Sequence, residues 1–454
     1  MKTIIDQTVE KLKNSFYSFF SEEKHSIGEA EKYFSLTISE ATVELLSAYY
    51  EEADRVLREN KKARKEKKLV IERRNEKREV QTTLGLLSVS RTYYQQNKEG
   101  YVYPIDEMMG IESYQRVSGE TCDALVNTAV YESYGRTSQI VTNNAISRQT
   151  VMNKLRKYYP YEKEITERKE VPVLHIDVDE DHIHLQSGKG AIVPVACIYE
   201  TIDRTTSRHT CVNSFYVSRF NLSPDAFWTV VLNEVEKRYN IENTQIYIHG
   251  DGAAWIKSGL EWFPGSIYVL DPFHKNKALK QAVANMSVED RNRFQKEMRE
   301  CLDEGDEGGL QSLQAEMCQS YPDLSQNILD SVGYLINNFD GIMVRNQDEE
   351  ARRGGATEPH VSHGLSFRLS TRPRGWSAKT LEHFVPILAA RMGTSQQPKA
   401  FEPCNPNDYL KVARKPKIRP NMWGLVHPDF ANSVASSFGG KTNNTLFAFK
   451  SIWG

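Results

Sequence analysis

The chain lacks three features, each of which would assign it to a class. It has no apolar stretch long enough to span a bilayer, and its mean hydropathy is -0.57. None of its 6 cysteines forms a CxxC pair, which argues against a cysteine-rich zinc module and favours reduced thiols. Its first residues, MKTIIDQTVEKLKNSF, lack the apolar core and cleavage site of a signal peptide. We therefore expect a cytoplasmic protein with no membrane partner.

The chain also has almost no net charge, because 58 basic side chains face 60 acidic ones. The basic residues are nevertheless concentrated in two stretches, 58–78 (RENKKARKEKKLVIERRNEKR) and 411–420 (KVARKPKIRP). Such stretches suit contact with nucleic acid, since Lys and Arg displace counterions from the phosphate backbone. A solvated helix face with interspersed Glu is the alternative for the first stretch.

The length of 454 residues is too great for one ordinary core, so we expect several domains. Amphipathic helical spacing near the N-terminus suits pairing of these helices with each other or with a second subunit, and we expect a homo-oligomer. The predicted regions are a helical N-terminal region (1–75), a β-hairpin with a helical DNA-binding region (76–165), a catalytic core (166–286 and 345–398), a helical insertion within it (287–344) and a basic, aromatic tail (399–454).

A helix-turn-helix is predicted within the second region by SQIVTNNAISRQTVMNKLRKYYP. Its paired Asn residues suit the turn, and Ser147 suits the N-cap of the next helix. That helix would expose Arg148, Lys154 and Arg156, which are side chains that contact bases or phosphates. An ordinary packed pair of helices is the alternative.

The core begins near Val171, where the pattern changes to strands. Three strands, a helix, a fourth strand, a short helix, a fifth strand and a further helix follow in order. This is the ribonuclease-H-like order, an α/β domain with a mixed sheet. In such a domain the first and fourth strands are neighbours, so that acids at their ends converge.

Acidic residues occur where those strands end. Asp179 lies near the end of the first strand, Asp251 follows the fourth, and Glu358 opens a later helical pattern. Carboxylates brought together suit Mg²⁺ or Mn²⁺, and two such ions can clamp the attacking and leaving oxygens of a phosphodiester. Asp177 and Asp181 share the alternation of Asp179 and remain alternatives. Turn or cap chemistry accounts for any one acid alone, whereas three in this order favour catalysis.

Further polar residues flank these acids. Asp271 and His274 form a D-x-x-H pattern that would orient a carboxylate or contact the scissile phosphate, with a helix N-cap as the alternative. His360 and His363 would hydrogen-bond locally or touch substrate. The predicted DNA contacts in the core are Lys275, Lys277, Arg368, Arg372, Arg374 and Trp376. For Trp376, stacking on an extruded base and packing in the core are both open.

Four segments taken together resemble the bacterial insertion-sequence transposases of the ISLre type: IDVDEDHIHLQ, YIHGDGAAWIKSG, YVLDPFHKNKAL and EPHVSHGLSFRLSTRPRGWS. These transposases were once grouped as an uncharacterised protein family and are similar in layout to Mutator-like transposases. The resemblance extends upstream through TTLGLLSVSRTYYQQ and ISRQTVMNKL, and covers roughly residues 75–380.

The resemblance implies a DDE transposase with a triad of Asp179, Asp251 and Glu358, and a C/D-x-x-H element at Asp271 and His274. It further implies cleavage and strand transfer on double-stranded DNA, with two Mg²⁺ or Mn²⁺ ions. Two alternatives stay open. One is a structure-selective nuclease on the same core, which would cut without joining. The other is a non-catalytic DNA-binding descendant of a transposase.

Overall fold

The structure is a computed structural model that describes residues 2–21, 25–96, 100–157, 167–205, 210–355, 361–371 and 375–392. The chain divides into two compact units, the first up to Tyr161 and the second from Glu162. No helix within these described ranges is long and apolar enough to cross a membrane. The second basic stretch, 411–420, and the predicted tail lie outside the described residues.

The first unit is mainly helical and contains one small sheet. In chain order it contains α1 (Lys2–Ser21), α2 (Ile27–Glu59), α3 (Lys61–Glu66), β1 (Leu69–Gln81), β2 (Leu86–Gln96), β3 (Gly100–Val102), α4 (Pro104–Met108), α5 (Gly119–Ala129), α6 (Tyr134–Thr142) and α7 (Arg148–Leu155). A capping box opens α2, in which the Glu29 carboxylate accepts the Ser26 amide at 2.8 Å and Ser26 Oγ accepts the Glu29 amide at 3.3 Å.

The first basic stretch is divided between helix and strand. Strand β1 begins at Leu69, inside the range 1–75 predicted to be helical, because it pairs with β2 from Leu69 opposite Gln96 onwards. Long-range pairing thus overrides the helical pattern of this segment. Arg78, at the end of the stretch, donates to the carbonyls of Glu112 at 2.9 Å and Gln115 at 2.5 Å, which uses its guanidinium within the unit.

The predicted helix-turn-helix segment forms α6, a tight turn and α7, and both helices pack against α5. Asn143 and Asn144 occupy the left-handed region with φ of 47° and 67°, a conformation that Asn tolerates better than most residues. Ser147 caps α7 by accepting the amide of Thr150 at 3.2 Å. Arg148 is exposed, whereas Lys154 and Arg156 are half-buried. Contact of these residues with DNA stays a prediction.

The second unit is built on a mixed sheet. In chain order it begins with β4 (Val173–His184), β5 (Gly190–Tyr199), β6 (Thr201–Asp203), β7 (Thr210–Val212), β8 (Phe215–Ser218), α8 (Pro224–Arg238), β9 (Gln245–Gly250), α9 (Ala254–Lys257), β10 (Ile267–Leu270) and α10 (Pro272–Ala282). Five strands form the sheet in the order β10-β9-β4-β5-β8. Strands β4, β5 and β8 are antiparallel, whereas β9 and β10 run parallel to β4. The predicted mixed α/β architecture is confirmed, as is the neighbouring position of the first and fourth core strands.

Alternation along β4 gives the sheet two chemically different faces. Leu174, Ile176 and Val178 lie on one face and pack in a core with Trp228 of α8. The opposite face carries His175, Asp177, Asp179 and Asp181. The pattern that predicts strand β4 therefore also places its three aspartates on the face away from the apolar core.

A helical segment follows α10, as the periodicity predicts. It contains α11 (Val288–Glu304), α12 (Glu307–Ser320), α13 (Ser325–Asn337), α14 (Phe339–Gln347) and α15 (Glu349–Arg353). These helices enclose their own core, which includes Phe294, Met298, Leu310, Val332 and Leu335. Beyond it, a π-helical turn (Val361–Ser366) and the short helix Phe367–Leu369 precede α16 (Ala378–Ala390), which packs against β8.

Two leucines on one helix test whether this second core stabilises the unit. Leu335 is fully buried and Leu329 is 48% exposed, and both lie on α13. We expect Leu335→Ala to lower the free energy of unfolding by about 2–5 kcal/mol, since it leaves a cavity, and Leu329→Ala by less than about 1 kcal/mol. Denaturant unfolding of the full chain measures both. Equal effects would show that the insertion lacks a packed core.

Candidate active site at the carboxyl ends of the parallel strands

Two of the predicted acids lie side by side where β9 ends. Asp251 directly follows β9, whereas Asp179 lies within β4, which continues to His184, so the prediction that Asp179 is near the end of its strand is wrong. In the pairing of β4 with β9, Asp177 lies opposite His249. Continuing that register by two residues brings Asp179 level with Asp251. Neighbouring strands lie about 4.8 Å apart, so both carboxylates belong to one edge of the sheet. In open α/β sheets this carboxyl edge is where ligands bind.

Asp271 extends the row onto the third parallel strand. Its amide donates to the carbonyl of Gly250 at 2.9 Å, immediately beside Asp251. Its carboxylate accepts the amide of Phe273 at 2.8 Å and therefore caps α10, as the N-cap alternative predicts. The cap does not exclude a further contact, because Nδ1 of His274 lies 3.5 Å from Oδ1 of Asp271.

The carboxylates of Asp179, Asp251 and Asp271 all affect the pKa of His274. Burial alone lowers the pKa of His274, but the charge of Asp271, followed by those of Asp179 and Asp251, outweighs burial and raises it. The imidazolium form is thus favoured beside the acids. An imidazolium here can donate a charge-assisted hydrogen bond to a phosphate oxygen.

The three aspartates of β4 differ in their surroundings. Asp177 is 2% exposed, and its Oδ1 accepts the Tyr199 hydroxyl at 2.9 Å. Asp181 is 6% exposed and accepts the hydroxyls of Ser366 at 2.9 Å and Ser370 at 2.8 Å. Burial raises the pKa of Asp181, although both serine hydroxyls oppose that shift. Asp177 and Asp181 are therefore held within the fold by hydroxyl donors.

Asp179, within β4, and Asp251, directly after β9, are both half-buried. Oδ1 of Asp179 accepts the amide of Glu180 at 2.8 Å, and Oδ1 of Asp251 accepts the amide of Ala253 at 2.8 Å. Its partial exposure favours Asp179 over the buried Asp177 and Asp181 as the acid that acts with Asp251.

The donor set fits a hard divalent cation in type, since carboxylate oxygens are the ligands that Mg²⁺ prefers. It is incomplete in number, because within the described ranges no group of three His, Cys, Asp or Glu residues is placed to hold a metal ion. Glu358, the predicted third acid, lies outside the described residues. So do His360, Arg372, Arg374 and the side chain of His363.

Two predicted DNA contacts are inside the protein. Trp376 is 8% exposed, its Nε1 donates to the carbonyl of Leu369 at 2.9 Å, and its ring packs against Phe384. Arg368 is also buried, and its guanidinium lies over both rings. The core-packing alternative for Trp376 is therefore the one that this structure supports, and neither side chain is exposed to DNA.

The two lysines of α10 differ in exposure. Lys277 is exposed, while Lys275 is half-buried. Burial lowers the pKa of Lys275, and the charges of Arg345 and Arg299 add to the shift, whereas that of Asp303 opposes it. Lys277 is thus the better placed of the two for contact with a phosphate backbone.

A buried histidine pair lies below the acids on the same face. Nδ1 of His175 is 3.1 Å from Nε2 of His249, and both side chains are fully buried. The His175 ring stacks between Tyr199 and Tyr247. A Cβ atom at Gly354 would clash with both imidazoles, so that only glycine fits there.

Sequence patterns missed the residues that surround this site. Tyr334 of α13 donates its hydroxyl to the Asp251 carbonyl at 2.6 Å, and Arg345 of α14 contacts the backbone near Gly354. Phe273 is exposed between Asp271 and His274. Two features of the sequence could have indicated these surroundings: the Gly354–Gly355 doublet, and the apolar residue Phe273 within the D-x-x-H pattern.

The chain was compared with known proteins. The model of an uncharacterised protein family (UPF0236) matches residues 21–400. A protein of Caldanaerobacter subterraneus subsp. tengcongensis, whose name joins eleven locus designations, is 34% identical over 345 residues, covering 75% of this chain and 72% of that protein. A UPF0236 protein of Streptococcus gallolyticus, named for the vanSb 3′ region, is 23% identical over 374 residues, covering 78% of this chain and 80% of that protein.

Acidification should destabilise the second unit through His175. Burial, with the charges of Arg345 and Arg353 added and that of Asp348 opposed, lowers the pKa of His175 from 6.5 to about 4. Between these values the unfolded chain binds a proton that the folded chain does not, so stability falls as the pH drops through this window. The loss at the lower end is on the order of 3 kcal/mol.

The measurement is the midpoint of thermal unfolding at several pH values. We expect His175→Gln to reduce the pH dependence between pH 6.5 and 4. His182→Gln serves as the control, because that ring is exposed. The same pH dependence in the two variants would contradict this account of His175.

Proposed function

The chain belongs to the uncharacterised protein family UPF0236, and from the site of this member we propose the activity of a DDE transposase. The proposed reaction is metal-dependent cleavage and strand transfer at the ends of an insertion sequence. The observation that carries the proposal is the level position of Asp179, within β4, and Asp251, directly after the parallel strand β9, whose charges both raise the pKa of His274.

The proposal includes a ribonuclease-H-like core. It is supported by the strand order β10-β9-β4-β5-β8, in which an antiparallel meander is extended by two parallel strands. Helix α8 covers the face opposite the acids, which leaves their edge to substrate. The helical segment between α10 and the π-helical turn would be an insertion into this core.

In the proposed site Asp179, Asp251 and Glu358 would hold Mg²⁺ or Mn²⁺. Two bound ions would activate a water or a 3′-hydroxyl and stabilise the leaving oxygen. The residues of the chain supply the positioning. Protonated His274 would donate to a non-bridging phosphate oxygen, and Lys277 would contact the backbone of the DNA.

The name of one relative gives independent support. It joins eleven locus designations in one organism. A protein that recurs at many loci of one genome is what an insertion sequence produces when it moves and leaves copies. A nuclease or a repressor encoded once by its host has no such reason to recur.

Removing one charge from the proposed metal site should abolish the chemistry. We expect Asp251→Asn to lower Mg²⁺-dependent cleavage of element-end DNA by at least about a thousandfold, while folding and DNA binding persist. Asp225→Asn is the matched control, because Asp225 is exposed in the first turn of α8. Cleavage by folded Asp251→Asn within about tenfold of wild type would refute the assignment. Adding target DNA separates a transposase, which joins ends, from a nuclease, which only cuts.

Recognition of DNA ends should depend on α7. We expect Arg148→Ala combined with Lys154→Ala to weaken binding of the full chain and to reduce the slope of log affinity against log salt by about 1–2, since phosphate contacts release counterions. Lys237→Ala combined with Lys296→Ala removes the same charge from exposed positions of the second unit. Equal weakening by the two double variants would leave α6 and α7 as an ordinary helical pair.

A further inference from the structure

A buried chain of hydrogen bonds connects β4 to the segment that follows α15. The Tyr199 hydroxyl donates to Oδ1 of Asp177 at 2.9 Å and accepts the amide of Gly355 at 3.0 Å. Tyr199 is fully buried, and burial raises its pKa well above the ordinary value. The hydroxyl therefore keeps its proton, and Asp177 is the acceptor that orients it.

Arg345 provides a second anchor for the same segment. Its Nη1 donates to the carbonyls of Gly354 at 3.0 Å and Ala351 at 3.2 Å, and its Nη2 to that of Arg352 at 3.3 Å. Burial lowers the pKa of Arg345, and the charges of Asp271 and Asp177 oppose that shift. The backbone of 351–355 is thus bound from two sides.

The glycine doublet makes this close approach feasible. A side chain at Gly354 would clash with the rings of His175 and His249. Gly355 has φ of +84°, where residues with a Cβ are strained, and a Cβ there would lie 3.0 Å from Nη1 of Arg345. Both glycines are therefore required for the backbone to lie against the face of the sheet that carries the acids.

We propose that Asp177 is a positioning residue, which acts through Tyr199 to fix Gly355 against the sheet, and is not a metal ligand. Its catalytic consequence rests on the proposed function. Glu358 follows Gly355 by three residues, a span of at most about 10 Å, so the anchor limits where the third carboxylate can reach. Loss of the hydrogen bond between Tyr199 and Gly355 would therefore lower the rate of catalysis without removing any ligand of the metal.

The substitutions at Asp177 separate a positioning residue from a ligand. Asn keeps an Oδ1 that accepts the Tyr199 hydroxyl, whereas Ala does not. We expect Asp177→Ala and Tyr199→Phe to lower kcat for cleavage by about 10–100-fold with KM for DNA unchanged, and Asp177→Asn to restore it to within about threefold of wild type. A metal ligand would lose activity with either substitution.

The anchor also has a readout that does not depend on activity. In the full chain, Tyr199→Phe should accelerate amide hydrogen exchange in 351–355, since Gly355 loses its acceptor. Tyr239→Phe is the matched control, because that buried hydroxyl donates to Oε1 of Glu200, also at 2.9 Å. Tyr239→Phe should leave exchange in 351–355 unchanged.

Two results would overturn the inference. One is exchange in 351–355 that is the same in Tyr199→Phe and Tyr239→Phe, which would show that the hydroxyl does not hold the segment. The other is Asp177→Asn that is as inactive as Asp251→Asn, which would make Asp177 a ligand. Absence of metal-dependent cleavage in the wild-type protein would instead count against the proposed function, and the exchange experiment would still decide the anchor.

Discussion

The parallel register of β4 and β9 decides where the chemistry of the second unit lies. With Asp177 opposite His249, Asp179 and Asp251 arrive together at one edge, and the acids share a face. If the pairing of β4 shifted by one residue, its aspartates would turn to the face on which Val178 now packs. The apolar core under α8 therefore holds the acids in place, because slippage would bury carboxylates and expose aliphatic side chains.

The face that carries the acids is supported by elements far along the chain. Tyr334 holds the carbonyl of Asp251, and the Asn338 side chain packs against Gly252, whose φ is +88°. The helical segment between α10 and the π-helical turn is thus part of the support of the edge. Asp177, Tyr199 and Arg345 do the same for the backbone at Gly355.

Local patterns predicted the five strands of the main sheet in chain order, because burial on one or both faces leaves a periodic record in the sequence. They did not predict that the third segment divides into β7 and β8, or that β7 pairs with β6 in a separate sheet. They also favoured Asp179 on the expectation that the strand ends there, whereas β4 continues to His184. They could not separate it from Asp177 or Asp181 by chemistry, since the partners of those two, Tyr199 and Ser370, are distant in sequence. Strand β1 and buried Trp376 show the same limit. Each depends on a contact with another element, β2 in one case and Phe384 in the other.

The central claim is that Asp179 of β4 and Asp251, which follows β9, form a metal site. Anomalous X-ray diffraction from crystals of the full chain grown with Mn²⁺ tests it without reference to DNA or activity. The account predicts a manganese peak within about 2.5 Å of carboxylate oxygens of both Asp179 and Asp251. Manganese bound by Asp177 or Asp181 in place of Asp179, or found only away from this edge, would contradict it.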